Sequence, residues 1–487
     1  MTYPHRPTPA TVAWVLSTAL LLQACGDAAL LESSAPGAAR LQATHPLTAG
    51  VGASEDILTQ LQSVPGLTVV AEDPAPYPGT RFFRLSFEQP TDHRRPHGER
   101  FPLLMTLLHR SAAAPMVLAS TGYGADDFYY EEEPTKLLEA NQLAVGHRFF
   151  TPSRPASSNW RHLNIWQSAN DSHRIIQAFK PLYPQRWLHT GISKGGMAAV
   201  YHRYFFPADV DATVAYVAPN SHGVNDVRYE DFLNRVGDEP CRTRLRAFQR
   251  EVLVRREEVL PLMEEWAATN GFTFHHLGMD RAFEFSVITG PFAMWQFGGA
   301  RACALTPPPG APAADLFWFL NGIAVTQGYS DADLKSIEPY YYQAATELGA
   351  FRAPTQHLSG LLRYPGQYSP AALVSFPITE PFNPGLMRRV EHWVHHWGGQ
   401  MLFINGANDP WSTGAFTVRE RNDSFRFDVP NGNHLANITR LPEAQRAVAL
   451  ERLFSWMDVS ATPAQLQSRL DDAALAPPRM RVPRFPL

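Results

Sequence analysis

The sequence predicts an α/β protein with a mostly parallel central sheet and a helical cap inserted into it. Short apolar runs recur along the chain with helical patterns between several of them, as in a doubly wound sheet. A Gly-Ile-Ser-Lys-Gly turn at residues 191–195 joins an apolar run to a helical one. The alternation lapses between about residues 223 and 385 and then resumes.

Taken in order, an amphipathic segment at 56–61 precedes eight strand-like runs. They lie at 81–87, 102–109, 116–120, 143–147, 187–190, 213–217, 401–404 and 425–428. Most are short and apolar, as buried strands should be. Helical patterns cover 134–141, 168–183, 195–206 and 387–397. The interruption carries helix-like runs at 241–270 and 331–348 and a Pro-rich break at 307–312. Phe317-Trp318-Phe319 and Tyr340-Tyr341-Tyr342 read as the core of this cap rather than as substrate contacts. The expected organisation is a leader at 1–25, a flexible tether at 26–53, sheet domain at 54–222, cap at 223–385 and sheet domain again at 386–487.

At 487 residues with a formal net charge of −4, the composition is that of a globular protein. It has no basic stripe and no zinc-type Cys/His spacing, so neither nucleic acid nor a metal or other cofactor is expected. The first residues form an address. An apolar run at 12–22 is too short to span a membrane, which takes about 20 residues, and suits a secretory leader. Leu22-Gln23-Ala24-Cys25 resembles a bacterial lipobox, in which Cys25 would be lipidated and form the only membrane anchor. An ordinary leader with an incidental cysteine is the alternative. Export to an oxidising compartment would let Cys241 and Cys303 pair, although two free thiols fit the sequence too.

The 191–195 turn carries the chemistry. A Gly-x-Ser-x-Gly between strand and helix is the nucleophile elbow of α/β-hydrolases, which presents Ser193 above the sheet. A serine hydroxyl needs a base, and the base an orienting carboxylate. Asp409 follows the strand at 401–404 and His434 the strand at 425–428, which gives the order Ser, Asp, His. An oxyanion hole should combine the N–H of Lys194 with one from the loop Ser120-Thr121-Gly122-Tyr123-Gly124, Tyr123 first and Gly122 next. The Lys194 amine is expected to be exposed or salt-bridged.

With these residues in place, the chain resembles the secreted prolyl tri- and tetrapeptidyl aminopeptidases, serine peptidases distantly related to lysosomal prolyl carboxypeptidase. The resemblance runs from about Asp56 to about Trp456. It rests on Gln89-Pro90-Thr91-Asp92-His93, Gly122-Tyr123-Gly124, Glu133-Pro134-Thr135 with Asn141-Gln142-Leu143, and residues 191–196. Asp209-Val210-Asp211, Tyr216-Val217-Ala218-Pro219-Asn220 and Asn408-Asp409-Pro410-Trp411 complete it. One departure is Gly146 before His147-Arg148, where the family pattern has a glutamate; His147 reads as structural. The resemblance implies peptide substrates with a free N-terminus and proline before the cut. A free ammonium needs a carboxylate, and Glu131, Glu132 and Glu133 are candidates, although the same cluster suits a helix N-terminus. Trp411 could wall a proline pocket or pack its own loop. An esterase or lipase with the same triad, or an inactive surface-binding protein, are the competing readings.

Overall fold

The apolar runs pair into a single mixed sheet, seen in a computed structural model that describes residues 56–126, 128–324 and 326–475. The leader with Cys25 and the tether lie outside the described residues. The strands are β1 (Leu67–Asp73), β2 (Arg81–Pro90), β3 (Arg100–His109), β4 (Met116–Ser120), β5 (Asn141–Val145), β6 (Trp187–Ile192), β7 (Ala212–Tyr216), β8 (Met401–Gly406) and β9 (Phe425–Val429). Their order is β1-β2-β3-β5-β4-β6-β7-β8-β9. The first three strands run antiparallel to their neighbours, and all pairs from β5 to β9 are parallel. Order, elbow and crossover helices together are those of an α/β-hydrolase.

The eight expected strands all form, and β1 is a ninth. It is an edge strand buried on one face only, with a register shift between Val69 and Ala71. So short an alternating run, ending in Glu72 and Asp73, lacks the unbroken apolar character of β4, β5, β7 and β8, which are buried along their whole length. Arg81 with Glu72 and Arg84 with Asp73 tie the edge down by cross-strand ion pairs.

Between β7 and β8 the chain forms the helical insertion. The single helix expected over 241–270 is two, Glu239–Val254 and Arg256–Asn270, broken where Arg255 leaves helical geometry at φ −94° and ψ 27°. Two further helices, Glu443–Trp456 and Pro463–Leu475, follow β9. The first buries Ala449, Leu450, Leu453 and Trp456 against Leu402 and Ile404 of β8. The cap has no core of its own. Its buried residues run continuously into Ala215, Met401 and Phe403 of the sheet, and residues 56–475 belong to one compact unit. Phe317 and the three tyrosines at 340–342 are buried in this core, but Trp318 is 57% exposed. Among the described residues no helix is long and apolar enough to cross a membrane.

Cys241 and Cys303 are bonded, with Cα atoms 5.8 Å apart, and link helix Glu239–Val254 to helix Gly299–Ala304. The bridge closes a 62-residue span, so its loss relaxes the unfolded chain. Replacing both cysteines by serine should lower stability by about 2–4 kcal/mol, read as a shift in the midpoint of thermal or denaturant unfolding.

Candidate active site

Ser193 sits where β6 turns into helix Lys194–Phe205, at φ 55° and ψ −123°. A non-glycine residue at positive φ is strained, and the surrounding contacts fix it there. Ser193 N–H donates to Tyr216 O at 2.8 Å. Strand and helix approach so closely that a Cβ on Gly191 would overlap the Gly195 carbonyl group, and one on Gly195 would overlap Ser120 O. The glycines of the turn are therefore demanded by contact.

Asp409 and His434 are brought together at the ends of β8 and β9. His434 Nδ1 lies 2.6 Å from Asp409 Oδ2, and both side chains are buried. Asp409 Oδ1 accepts the Trp411 N–H at 3.1 Å, so one carboxylate starts its own turn and aims the imidazole. His434 Nε2 is buried without a hydrogen-bond partner among the described residues. The Ser193 hydroxyl instead meets the Tyr123 phenol. The bond from Ser193 to His434 is thus not made in this state, and a turn of the serine side chain away from Tyr123 would be required to make it.

The His434 loop is clamped from two sides, by cap residues the sequence did not mark and by Glu133. On the cap side, His434 N–H donates to Gln296 O at 2.9 Å and Asn433 Nδ2 to Phe297 O at 2.6 Å. Both acceptors belong to a π turn, Met294–Gly298, and the Phe297 ring stands edge-on to His434 at 5.9 Å. On the other side Glu133 accepts the N–H groups of Ile438 and Thr439 at 2.8 and 2.9 Å.

The three members of the acidic cluster have different surroundings. Glu133 holds the histidine loop. Glu131 is paired with Arg110 and accepts from the Tyr77 hydroxyl at 3.4 Å. Glu132 faces a cavity of about 20 Å³, room for one water, shared with Ile192, Tyr216 and His434. Burial, with Asp126 and Glu133 close by, pushes its carboxyl up to about 7.

The other expected residues fall as follows. Lys194 is neither exposed nor salt-bridged. It is 3% exposed, and its Nζ donates to Gly122 O at 2.7 Å beside the Phe150 ring. Burial holds its amine well below the usual range. Its backbone N–H opens the helix and has no acceptor within it. The N–H of Tyr123, the first candidate for the oxyanion hole, is taken by Thr121 Oγ1 at 3.1 Å. Trp411 is 5% exposed among Tyr229, Phe292 and Phe351, so it packs its loop. His147 donates its backbone N–H to Tyr123 O at 2.6 Å and holds the same loop. A Cβ on Gly146 would come within 2.8 Å of Ala125 N; a glutamate there would need the loop moved. No group of residues able to hold a metal occurs among the described residues.

Glu133→Ala leaves two part-buried N–H groups without acceptors, a cost of up to roughly 1–3 kcal/mol each. It should lower kcat about 10- to 100-fold through a loosened His434, with KM little changed, in steady-state assays. Glu132 has a raised pKa, so the folded protein keeps this proton to higher pH than the unfolded chain. Its contribution to stability therefore falls as pH rises from about 4.5 to about 7. Glu132→Gln should flatten that part of the stability–pH curve, measured by denaturant unfolding at a series of pH values.

Comparison with known proteins places this site. The profile of the PS-10 peptidase S37 family matches residues 52–478. The chain is 42% identical over 416 residues to a prolyl tri/tetrapeptidyl aminopeptidase from Streptomyces mobaraensis, covering 84% of this chain and 87% of that one. Among solved structures it is similar to a proline iminopeptidase from Mycobacterium smegmatis, at 13% identity and TM-score 0.36 over 76% of this chain and 98% of that one. It is also similar to a homoserine O-acetyltransferase from Staphylococcus aureus, at 15% identity and TM-score 0.35 over 81% and 99%. The family match spans the elbow, the buried His434–Asp409 pair and the cap that holds them, and on it the chain belongs to the S37 peptidases and is a serine peptidase.

Proposed function

We propose that this protein is an exported aminopeptidase that releases tri- or tetrapeptides from free N-termini, with proline before the cut. The observation that carries the reading is a strained Ser193 beside a buried His434–Asp409 pair, in a chain 42% identical to an enzyme named for that activity. In the reaction His434 Nε2 takes the Ser193 proton as Oγ attacks the carbonyl of the proline. The tetrahedral oxyanion is held by the Lys194 N–H and the Gly122–Tyr123 loop. His434 then returns the proton to the leaving amine, and water, activated by the same imidazole, frees the peptide from the acyl-enzyme. Asp409 keeps Nδ1 protonated throughout.

Phe297, edge-on to His434, and Tyr123, at the serine, supply the flat apolar surface a proline ring favours. The Cys241–Cys303 bond supports export, since disulfides persist in oxidising compartments. The run at residues 12–22 and Cys25 then serve as leader and lipid anchor. Cys25→Ala should move the protein from the membrane fraction to the soluble one; an unchanged distribution excludes the anchor.

Ser193→Ala should reduce turnover of a tripeptidyl-proline 4-nitroanilide by about 10⁴-fold or more while the thermal unfolding midpoint stays close to that of the parent. Retained activity would remove Ser193 as nucleophile. In the parent enzyme, N-acetylated analogues should be cleaved about 100-fold less well than free ones. Activity confined to lipid-like esters would replace the peptidase reading with the esterase one.

A further inference from the structure

An α-ammonium presents three N–H donors and a charge, so its subsite needs open acceptors and a carboxylate that lacks a cation. The acidic cluster at 131–133 offers none: two of its members are committed and the third faces a one-water cavity. The cap offers another place. Glu347 lies in a second π turn, Ala344–Leu348, and is 6% exposed. It accepts from Gln343 Nε2 at 3.0 Å and from the Ile165 N–H, and it makes no ion pair among the described residues. The basic group it couples to, Lys194, donates to Gly122 O instead. A carboxylate has about four acceptor positions, so two remain. Burial outweighs the two hydrogen bonds and pushes the group up to about 7.

Beside it, Gln343 is 1% exposed, and its Oε1 is buried without a partner among the described residues. An orphaned amide oxygen next to an unpaired carboxylate is costly in an empty site. Both costs are removed by one ligand that donates several hydrogen bonds and carries positive charge.

The place is within reach of the reacting serine. Tyr340, Gln343 and Glu347 fall three and seven residues apart on one helix face. The Tyr340 ring lies 6.3 Å from the ring of Tyr123, whose phenol meets Ser193. Tyr201 and Lys194, seven residues apart on the nucleophile helix, both lie within electrostatic reach of Glu347. Seven helical residues rise about 10 Å, the reach of about three extended residues.

We infer that Gln343 and Glu347 form the subsite for the free α-ammonium of the peptide, with Glu347 as counter-charge and Gln343 Oε1 as second acceptor. The inference rests on the aminopeptidase reading above, and it makes the π turn of the cap the ruler that selects tripeptide-sized units.

The test compares Ala-Ala-Pro-4-nitroanilide with its N-acetylated form on the full-length enzyme and on Glu347→Gln. The glutamine keeps an acceptor for Ile165 and Gln343 but has no charge. The expected result is a loss of about 100-fold in kcat/KM on the free peptide, with the acetylated one within about threefold of the parent, so that discrimination collapses. Equal losses on both peptides mean a structural role and overturn the inference, as does unchanged discrimination. A parent enzyme that does not discriminate at all overturns the aminopeptidase reading itself, whatever the variant does. Should Glu347→Gln fail to fold, Gln343→Met takes its place. It should lose about tenfold on the free peptide alone, and an equal loss on both peptides, or no loss, overturns the subsite.

Discussion

The site depends on one close approach. Helix Lys194–Phe205 is pressed against β6 and the end of β4 until backbone meets backbone at Gly191, Gly195 and Ser120. At that separation the residue between them has nowhere to go but positive φ, and the Ser193–Tyr216 bond locks it. The same pressure turns the first N–H of the helix toward the space above the serine, where the helix dipole favours negative charge. The strained Ser193 and the unpaired first N–H of the helix are thus consequences of one packing contact. The Gly122 loop joins it through the Lys194 side chain, which reaches back under the loop to the Gly122 carbonyl.

The cap is more than a cover. It holds the backbone of His434 through Gln296 and that of Asn433 through Phe297, while Glu133 grips the far end of the same loop. The His434 loop is therefore fixed between two parts of the chain more than a hundred residues apart. Motion of the cap and positioning of the imidazole cannot be separated, and the disulfide between two cap helices stiffens the frame on which this depends.

The buried strands and the Ser193 elbow were legible because both are local. An unbroken apolar run between turn residues reads as a buried strand, and a glycine-flanked serine between strand and helix reads as an elbow. What the sequence hid is settled by tertiary packing. β1 is half exposed, so its pattern is diluted. The break at Arg255 lies within a continuous helical pattern. Lys194 follows the nucleophile and looks like a surface cation, yet the fold carries it under the loop. Glu131, Glu132 and Glu133 are chemically alike in sequence, and only the partners supplied by Arg110 and by the Ile438–Thr439 backbone tell them apart. The family-like residues at 89–93 and 148 also gain meaning only here. Arg148 donates to Asp171 and to Thr91 O, and His93 meets the same Asp171 at 2.7 Å, a buried network that anchors the start of the loop after β5.

The distribution of charge gives the peptidase reading its direction. At the serine end stands the helix N-terminus, which disfavours an ammonium and favours a developing oxyanion. At the other end stands Glu347, buried and without a cation. A peptide entering with its amine toward Ser193 would place like charges together in a region shielded from water, where such contacts cost most. The opposite orientation would satisfy both ends at once and, with Glu347 as the proposed ammonium partner, would set the scissile carbonyl over Ser193 at a fixed distance from the amine. An ester of a fatty acid has no charge to distinguish the two ends and would leave Glu347 and the Gln343 carbonyl unpartnered. The polarity of the site therefore argues for a substrate that is itself polar along its length, cationic at one end and reactive a short peptide away.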